Sequence, residues 1–217
     1  IRNPLTPIKL TIDRIKNKYS KNIEDEEKIN FENNLKIINN QINQIGNLVN
    51  EFSDFARMPK PIIKEHNLIQ IMEDNIKLLS EIDEKIKIEL IKKSNIIKFK
   101  CDREQISRVF FNLIKNSIES IQQKNEKTKD FNKNITIEIK SVDNHIKLII
   151  VDNGIGFDIS SKNIKDIVNP YFTTKKNGTG LGLSIVSKII NDHNGKIEFT
   201  PLEDGAKVEI NFNLDDN

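Results

Sequence analysis

The chain has 217 residues, 36% of them hydrophobic and 30% charged, and its 34 Lys and Arg against 32 Asp and Glu leave a formal net charge of +2. That length holds one large domain or two small ones and excludes a mini-protein, while a near balance of charge, with no basic stretch interleaved with aromatics, argues against a nucleic-acid partner. The lone cysteine, Cys101, excludes an internal disulfide, and apolar runs such as Leu148–Val151 are far too short to span a bilayer.

The sequence opens at Ile1 without an initiator Met or a signal peptide, in what reads as mid-helix, so a piece of something longer is expected. Leu5, Ile8, Ile12, Ile15 and Tyr19 step by three and four, the seam of an amphipathic helix. A polar turn from Lys21 to Glu27 follows. Then Phe31, Leu35, Ile38, Ile42, Ile45, Val49, Phe52 and Ala56 alternate steps of four and three without a slip, a heptad seam. Two antiparallel helices bury such seams poorly alone. Packing on the next domain would cover them, but a dimeric four-helix bundle is the more economical solution. Pro59 and Pro61 end the helix and mark a domain boundary.

Beyond it, helices and strands mix. The pattern predicts a helix over Leu68–Leu79, strands over 86–90 and 96–100, and a strong helix over Gln105–Gln122 with Ile106, Val109, Phe110, Leu113, Ile114, Ile118 and Ile121 on its apolar face. A polar loop over 123–133 leads to strands at 135–139 and 145–151. A helix over 181–191 and a hairpin of 196–199 with 206–212, turning at Glu203-Asp204-Gly205, complete the chain. The order never settles into a βαβ rhythm. The fold class expected is therefore α+β: an antiparallel helical hairpin over 1–58, then an α/β sandwich with a mixed, largely antiparallel sheet over 62–217.

Three groups of residues carry chemistry. On the helix over 105–122, Asn112 and Asn116 lie one turn apart on one face with Lys115 beside them. Their amide oxygens are hard ligands suited to Mg²⁺, which shares its sphere with water and substrate phosphates; the alternative is a pair of solvated amides. Asp152-Asn153-Gly154-Ile155-Gly156 follows a hydrophobic strand. A carboxylate there can accept from an exocyclic amine such as that of adenine, and the glycines admit close backbone approach; an ordinary Asp-Asn-Gly turn reads the same way. Gly178-Thr179-Gly180-Leu181-Gly182-Leu183 opens a helix, where successive N–H groups suit phosphate. It is not a dinucleotide fingerprint, which needs Gly where Leu183 stands, and no GxxxxGK[ST] loop occurs. Just ahead, Pro170-Tyr171-Phe172-Thr173-Thr174-Lys175-Lys176-Asn177 is suited to closing over a nucleotide.

In this order the motifs resemble the N, G1, F and G2 boxes of bacterial sensor histidine kinases, and Ile1-Arg2-Asn3-Pro4-Leu5-Thr6-Pro7 resembles the tail of their H box, His-Glu-x-x-(Asn/Thr)-Pro-Leu. The run from Phe52 to Pro61 is similar to the nitrogen-regulation, NtrY-type branch. The resemblance covers essentially the whole chain. It implies a phosphotransfer and dimerisation hairpin and a Bergerat-type ATP-binding domain. Within that domain it implies Asn116 as the Mg²⁺ ligand with Asn112 as helper, Asp152 on the adenine amine, and Gly154 and Gly156 around the base. Gly178, Gly180 and Gly182 would shape the phosphate lid, Phe172 would pack it, Lys175 would meet the triphosphate, and Thr174, Thr179 and Leu181 would join the ATP-binding residues. It further implies ATP and Mg²⁺ as cofactors, a homodimer, a response-regulator receiver domain as partner, and a cytoplasmic module of a parent in the bacterial inner membrane, itself without membrane contact.

The chain departs from the family in two places. Many relatives carry Lys where Glu119 stands, with Lys115 a candidate substitute. Counted back from Asn3, the acceptor His would fall two positions ahead of Ile1, so the 217 residues are expected not to autophosphorylate; Asn3 would orient that acceptor or a water. His66 and His145 read as ordinary residues and His193 as structural. Related ATPases of the gyrase, chaperone and mismatch-repair type carry a Glu that activates water where this chain has Asn112, which takes no proton. A non-catalytic binding and dimerisation module is the other alternative.

Overall fold

The computed structural model describes residues 2–20, 23–128, 130–157, 164–173, 175 and 178–214. They form two compact units: Ile1–Met58 with Lys175–Thr179, and Pro59–Thr174 with Gly180–Asn217.

In the first unit α1 (Arg2–Tyr19) and α2 (Asp25–Ala56) make the hairpin. Ile12, Leu35 and Ile42 are buried between them, with Leu5, Ile15 and Phe31 packed alongside. Three apolar residues of the second seam thus meet the first helix. Ile38, Ile45 and Phe52 of the same seam stay about half exposed. Gly46 sits where α1 approaches, a Cβ there lying 3.5 Å from Leu5 Cδ1.

The second unit runs β1 (Lys64–Asn67), α3 (Leu68–Ser80), β2 (Lys87–Lys92), β3 (Lys98–Cys101), α4 (Arg103–Lys127), β4 (Asn134–Val142), β5 (His145–Asp152), a short 3₁₀ turn (Ile164–Val168), α5 (Gly182–Asp192), β6 (Gly195–Leu202) and β7 (Gly205–Asn213). Five strands form one sheet in the order β2-β4-β5-β7-β6. Only β2 with β4 is parallel; the other three pairings are antiparallel, so the sheet is mixed. Alternation along the strands turns Ile135, Ile137 and Ile139, Ile146, Leu148 and Ile150, and Val208, Ile210 and Phe212 toward the helices, all buried. All seven apolar residues expected on α4 are buried there as well.

α4 and β1 differ from the sequence expectation, and the 3₁₀ turn over Ile164–Val168 adds to it. α4 continues to Lys127, through residues read as loop; its polar last two turns lie beyond the apolar face. β1 was not anticipated, because Lys-Glu-His-Asn carries no strand pattern; it exists by pairing antiparallel with β3, Lys64 opposite Cys101. No helix among the described residues is long and apolar enough to cross a membrane.

The helix ends are secured by side chains. Asn67 caps α3, its Oδ1 accepting from Ile69 N at 3.2 Å and from Ile97 N at 3.0 Å. Asp102 caps α4, with Oδ1 accepting from Glu104 N and Gln105 N at 3.0 and 3.1 Å and Oδ2 from Ile62 N at 2.9 Å. Gln105 Nε2 donates to Pro59 O at 3.1 Å. The start of this unit is thereby fastened to the first turn of α4.

Candidate functional site

Strand alternation places Asp152. In β5 the inward positions are Ile146, Leu148, Ile150 and then Asp152, a carboxylate at the end of an apolar column and 6% exposed. It faces α4. Ser117 Oγ donates to Asp152 Oδ2 at 3.1 Å, and Gly154 N donates to Oδ1 at 3.0 Å. Burial pushes the Asp152 carboxyl above the ordinary carboxylate range, against the Gly154 and Ser117 hydrogen bonds and the positive charge of Lys124. Both oxygens are oriented, and each keeps capacity for a further donor.

The loop after Asp152 lies hard against its neighbours. A Cβ on Gly154 would stand 2.1 Å from Ser120 Oγ and 2.6 Å from the Ser120 carbonyl carbon. Ile155 N donates to Ser120 O at 3.3 Å. Gly156 has φ +73, and a Cβ there would meet Gly205 O at 2.7 Å, so both glycines are required by space and the second also by conformation. Lys124 Nζ donates to Asn153 O at 2.8 Å, pairs with Asp204 in the β6–β7 turn, and lies 4.6 Å above the Phe131 ring.

Asn112 Nδ2 donates to Arg108 O at 2.9 Å. With the amide nitrogen so committed, Oδ1 faces the start of α5, 3.5 Å from where a Cβ on Gly182 would stand. Asn116 lies one turn further along the same face, partly buried. Lys115 Nζ sits 3.8 Å from Glu119 Oε1, four residues on.

α5 begins at Gly182 after Leu181, whose side chain is buried and supplies no cap. Its other end is closed by His193, 1% exposed, with Nδ1 donating to Ile189 O at 2.8 Å and Nε2 accepting from Asp102 N at 3.0 Å. Just before α5, Tyr171 N donates to Gly180 O at 3.0 Å. Gly180 has φ +71, and a Cβ there would stand 2.5 Å from the Tyr171 carbonyl carbon. Tyr171 itself has φ 68, an uncommon conformation for a bulky residue; Phe172 follows it, partly buried.

The structure thus gathers Asp152, Gly154, Gly156, Asn112, Asn116, Lys115, Phe172, Gly180, Leu181 and Gly182 in the second unit. Lys175, Gly178 and Thr179 belong to the first, where Gly178 N donates to Lys175 O at 3.2 Å. Thr174 lies outside the described residues, as does the side chain of Asn3, whose backbone is helical. Sequence reasoning overlooked Ser117, Ser120 and Lys124. Ser117 did leave a trace: it interrupts the buried stripe of α4 between Ile114 and Ile118.

One feature fits a purine nucleotide: the buried Asp152 carboxylate, set beside Ser117 and Ser120, keeps acceptor capacity on its oxygens. The donor set is compatible with Mg²⁺: amide oxygens on one helix face are hard, neutral ligands.

Residues 101–216 match the family described as histidine kinase-, DNA gyrase B- and HSP90-like ATPase, and residues 1–61 match the His Kinase A (phospho-acceptor) domain. A putative sensor histidine kinase NtrY-like of Rickettsia bellii is 34% identical over 217 residues, 100% of this chain and 34% of that protein. Nitrogen regulation protein NtrY of Azorhizobium caulinodans is 32% identical over 99% of this chain and 27% of its own length. The chain spans about a third of the length of the Rickettsia relative it matches. Among solved structures, histidine kinase ThkA in complex with response regulator protein TrrA superposes with a TM-score of 0.70 at 26% identity, over 98% of this chain and 58% of that one.

Proposed function

The chain belongs to the sensor histidine kinases, with a nucleotide domain of the type shared with gyrase B and HSP90, and from that premise we propose that it binds ATP with Mg²⁺ and transfers the γ-phosphoryl to a histidine. In this reading residues 1–58 are the phosphotransfer and dimerisation hairpin, residues 62–217 the ATP-binding domain, and a response-regulator aspartate the final acceptor. The parent protein is an inner-membrane sensor whose kinase module works on the cytoplasmic side.

The observation that carries the reading is the buried Asp152 carboxylate, held by Ser117 and Gly154 and facing the helix that bears Asn112 and Asn116. Asp152 accepts from the adenine N6 amine. Asn116, with Asn112, would hold Mg²⁺ through amide oxygens. The first turn of α5 receives phosphate oxygens, the role N–H groups at a helix N-terminus suit. Bound there, Mg²⁺ would supply charge neutralisation; in the transfer the β–γ bridging P–O bond breaks, the N–P bond forms, ADP leaves and the imidazole proton passes to solvent. What these residues contribute is position, which is most of the catalysis in phosphoryl transfer. An amide at Asn112 takes no proton from water, which favours transfer over hydrolysis.

The test joins a helix carrying His-Glu ahead of Ile1. With ATP the extended chain should take up acid-labile, alkali-stable phosphate on that histidine and pass it to a receiver domain. Steady release of free phosphate with no histidine label overturns the kinase reading in favour of an ATPase.

A further inference from the structure

Residues 122–127 of α4 are all polar, yet the helix continues through them. Ser117, Ser120 and Lys124 succeed one another at spacings of three and four, so they share one face of that helix. The face meets residues 152–155 turn by turn. Ser117 Oγ donates to Asp152 Oδ2 at 3.1 Å, Ser120 O accepts from Ile155 N at 3.3 Å, and Lys124 Nζ donates to Asn153 O at 2.8 Å.

Lys124 reaches further than the two serines. Its ammonium also pairs with Asp204 in the β6–β7 turn and lies 4.6 Å above the Phe131 ring. That turn is itself pressed on the end of β5, since a Cβ on Gly205 would stand 1.8 Å from Asp152 O. On the other side Asn153 is fastened to the start of β4, its Oδ1 accepting from Asn134 N at 3.0 Å and its Nδ2 donating to Asn132 O. An ammonium has three donors and no acceptor. A carbonyl, a carboxylate and an aromatic face account for them here, and the side chain is 19% exposed. This lysine is committed to the protein and not to a phosphate.

Its partners differ in weight. Asp204 is 68% exposed, so that pair is screened and contributes little. The bond to Asn153 O acts on the peptide that follows Asp152. Burial raises the Asp152 carboxyl, and the positive charge of Lys124 works against that rise, favouring the ionised form that accepts best from an amine. Around Asp152, the serines of α4 and the strand partners Ile135 and Ala206 bring no charge, and Asp204 stands behind the lysine in the turn.

We propose that Lys124 is a positioning residue of the nucleotide site, holding the main chain at Asn153 and the β6–β7 turn so that the Asp152 carboxylate meets the adenine amine. This rests on the nucleotide reading above.

Calorimetric titration of the whole chain with ATP and Mg²⁺ across a pH series tests it, with circular dichroism to establish that each variant is folded. At neutral pH Lys124→Met should weaken ATP roughly tenfold, the value of a hydrogen bond from a charged donor. Lys124→Arg, which keeps the charge and the donors, should restore most of the loss, and Asp204→Asn should stay within about twofold of the wild type. Acid protonates Asp152 and weakens ATP in every form; in Lys124→Met that weakening should set in at higher pH, because the charge favouring the carboxylate is gone. A folded Lys124→Met variant that binds ATP as tightly as the wild type overturns the assignment. So does one whose affinity follows the wild-type pH course, the mark of a lysine that only supports the fold. A wild type that takes up no ATP overturns the nucleotide reading and this assignment together, a result distinct from the other two.

Discussion

The Asp102 amide donates to His193 Nε2 at 3.0 Å, tying the N-terminus of α4 to the C-terminus of α5. The same Asp102 carboxylate collects three backbone N–H groups, from Ile62, Glu104 and Gln105. One residue thus joins the chain entering the unit to both helices that carry the proposed nucleotide contacts.

Asp102→Ala should destabilise the second unit by about 1–2 kcal/mol, the value of a helix cap. The effect has a pH signature. Burial alone would raise the Asp102 carboxyl, but the three N–H donors outweigh it and hold it below the ordinary carboxylate range. Its stabilisation is therefore present above the unfolded pKa and is lost as pH falls through the folded one. Thermal melts of wild type and variant should differ at neutral pH and converge in acid; a constant gap assigns the loss to packing.

Asp152 behaves oppositely. Its folded carboxyl is raised by burial, so the folded state binds the proton more tightly, and stability falls as pH rises from the unfolded pKa through the folded one. Asp152→Asn should raise the melting midpoint at neutral pH by a few degrees, on the order of 1 kcal/mol, and flatten that pH dependence. Asp152→Ala should weaken ATP roughly ten- to a hundred-fold, with GTP binding worse than ATP to the wild type. A calorimetric comparison in which ATP and GTP bind equally contradicts the adenine assignment.

Asn116→Leu should abolish the enhancement of ATP binding by Mg²⁺ and leave the fold intact. Chelating Mg²⁺ should then weaken ATP in the wild type and change nothing in the variant. Circular dichroism run beside the titration separates this from a variant that has lost its structure.

Ile45→Glu should shift the chain toward monomer in light scattering across a concentration series. The hairpin buries Ile42 between its own helices but leaves Ile45 and Ile38 about half exposed, so a charge at Ile45 spares the hairpin and burdens only an interface with a second copy. A wild type that stays monomeric at every concentration removes the basis of the proposed dimer.

Periodicity revealed most of the helices and the hairpin, because α2 and α4 carry long apolar repeats and β4, β5 and β7 alternate cleanly. It could not reveal β1, whose four polar residues become a strand only through β3. The same distinction applies to the site. Asp152, Gly154 and Gly180 are recognisable by motif; the hydroxyls of Ser117 and Ser120 acquire a role only when α4 is laid across the end of β5. Contacts made between elements distant in sequence leave no local pattern.

The inward column of β5 ends in a carboxylate, and that position couples recognition to strand pairing. β5 is held on both sides, Asp152 opposite Ile135 of β4 and Ala206 of β7. A slip of one residue would exchange the two faces, sending Val151 inward and Asp152 into solvent. At this end of the strand one valine would replace one aspartate, and the proposed adenine acceptor would be lost. On that proposal nucleotide affinity reports whether the sheet has closed in its native alignment, and ATP added during refolding should act as a template that rejects chains paired one step out of phase.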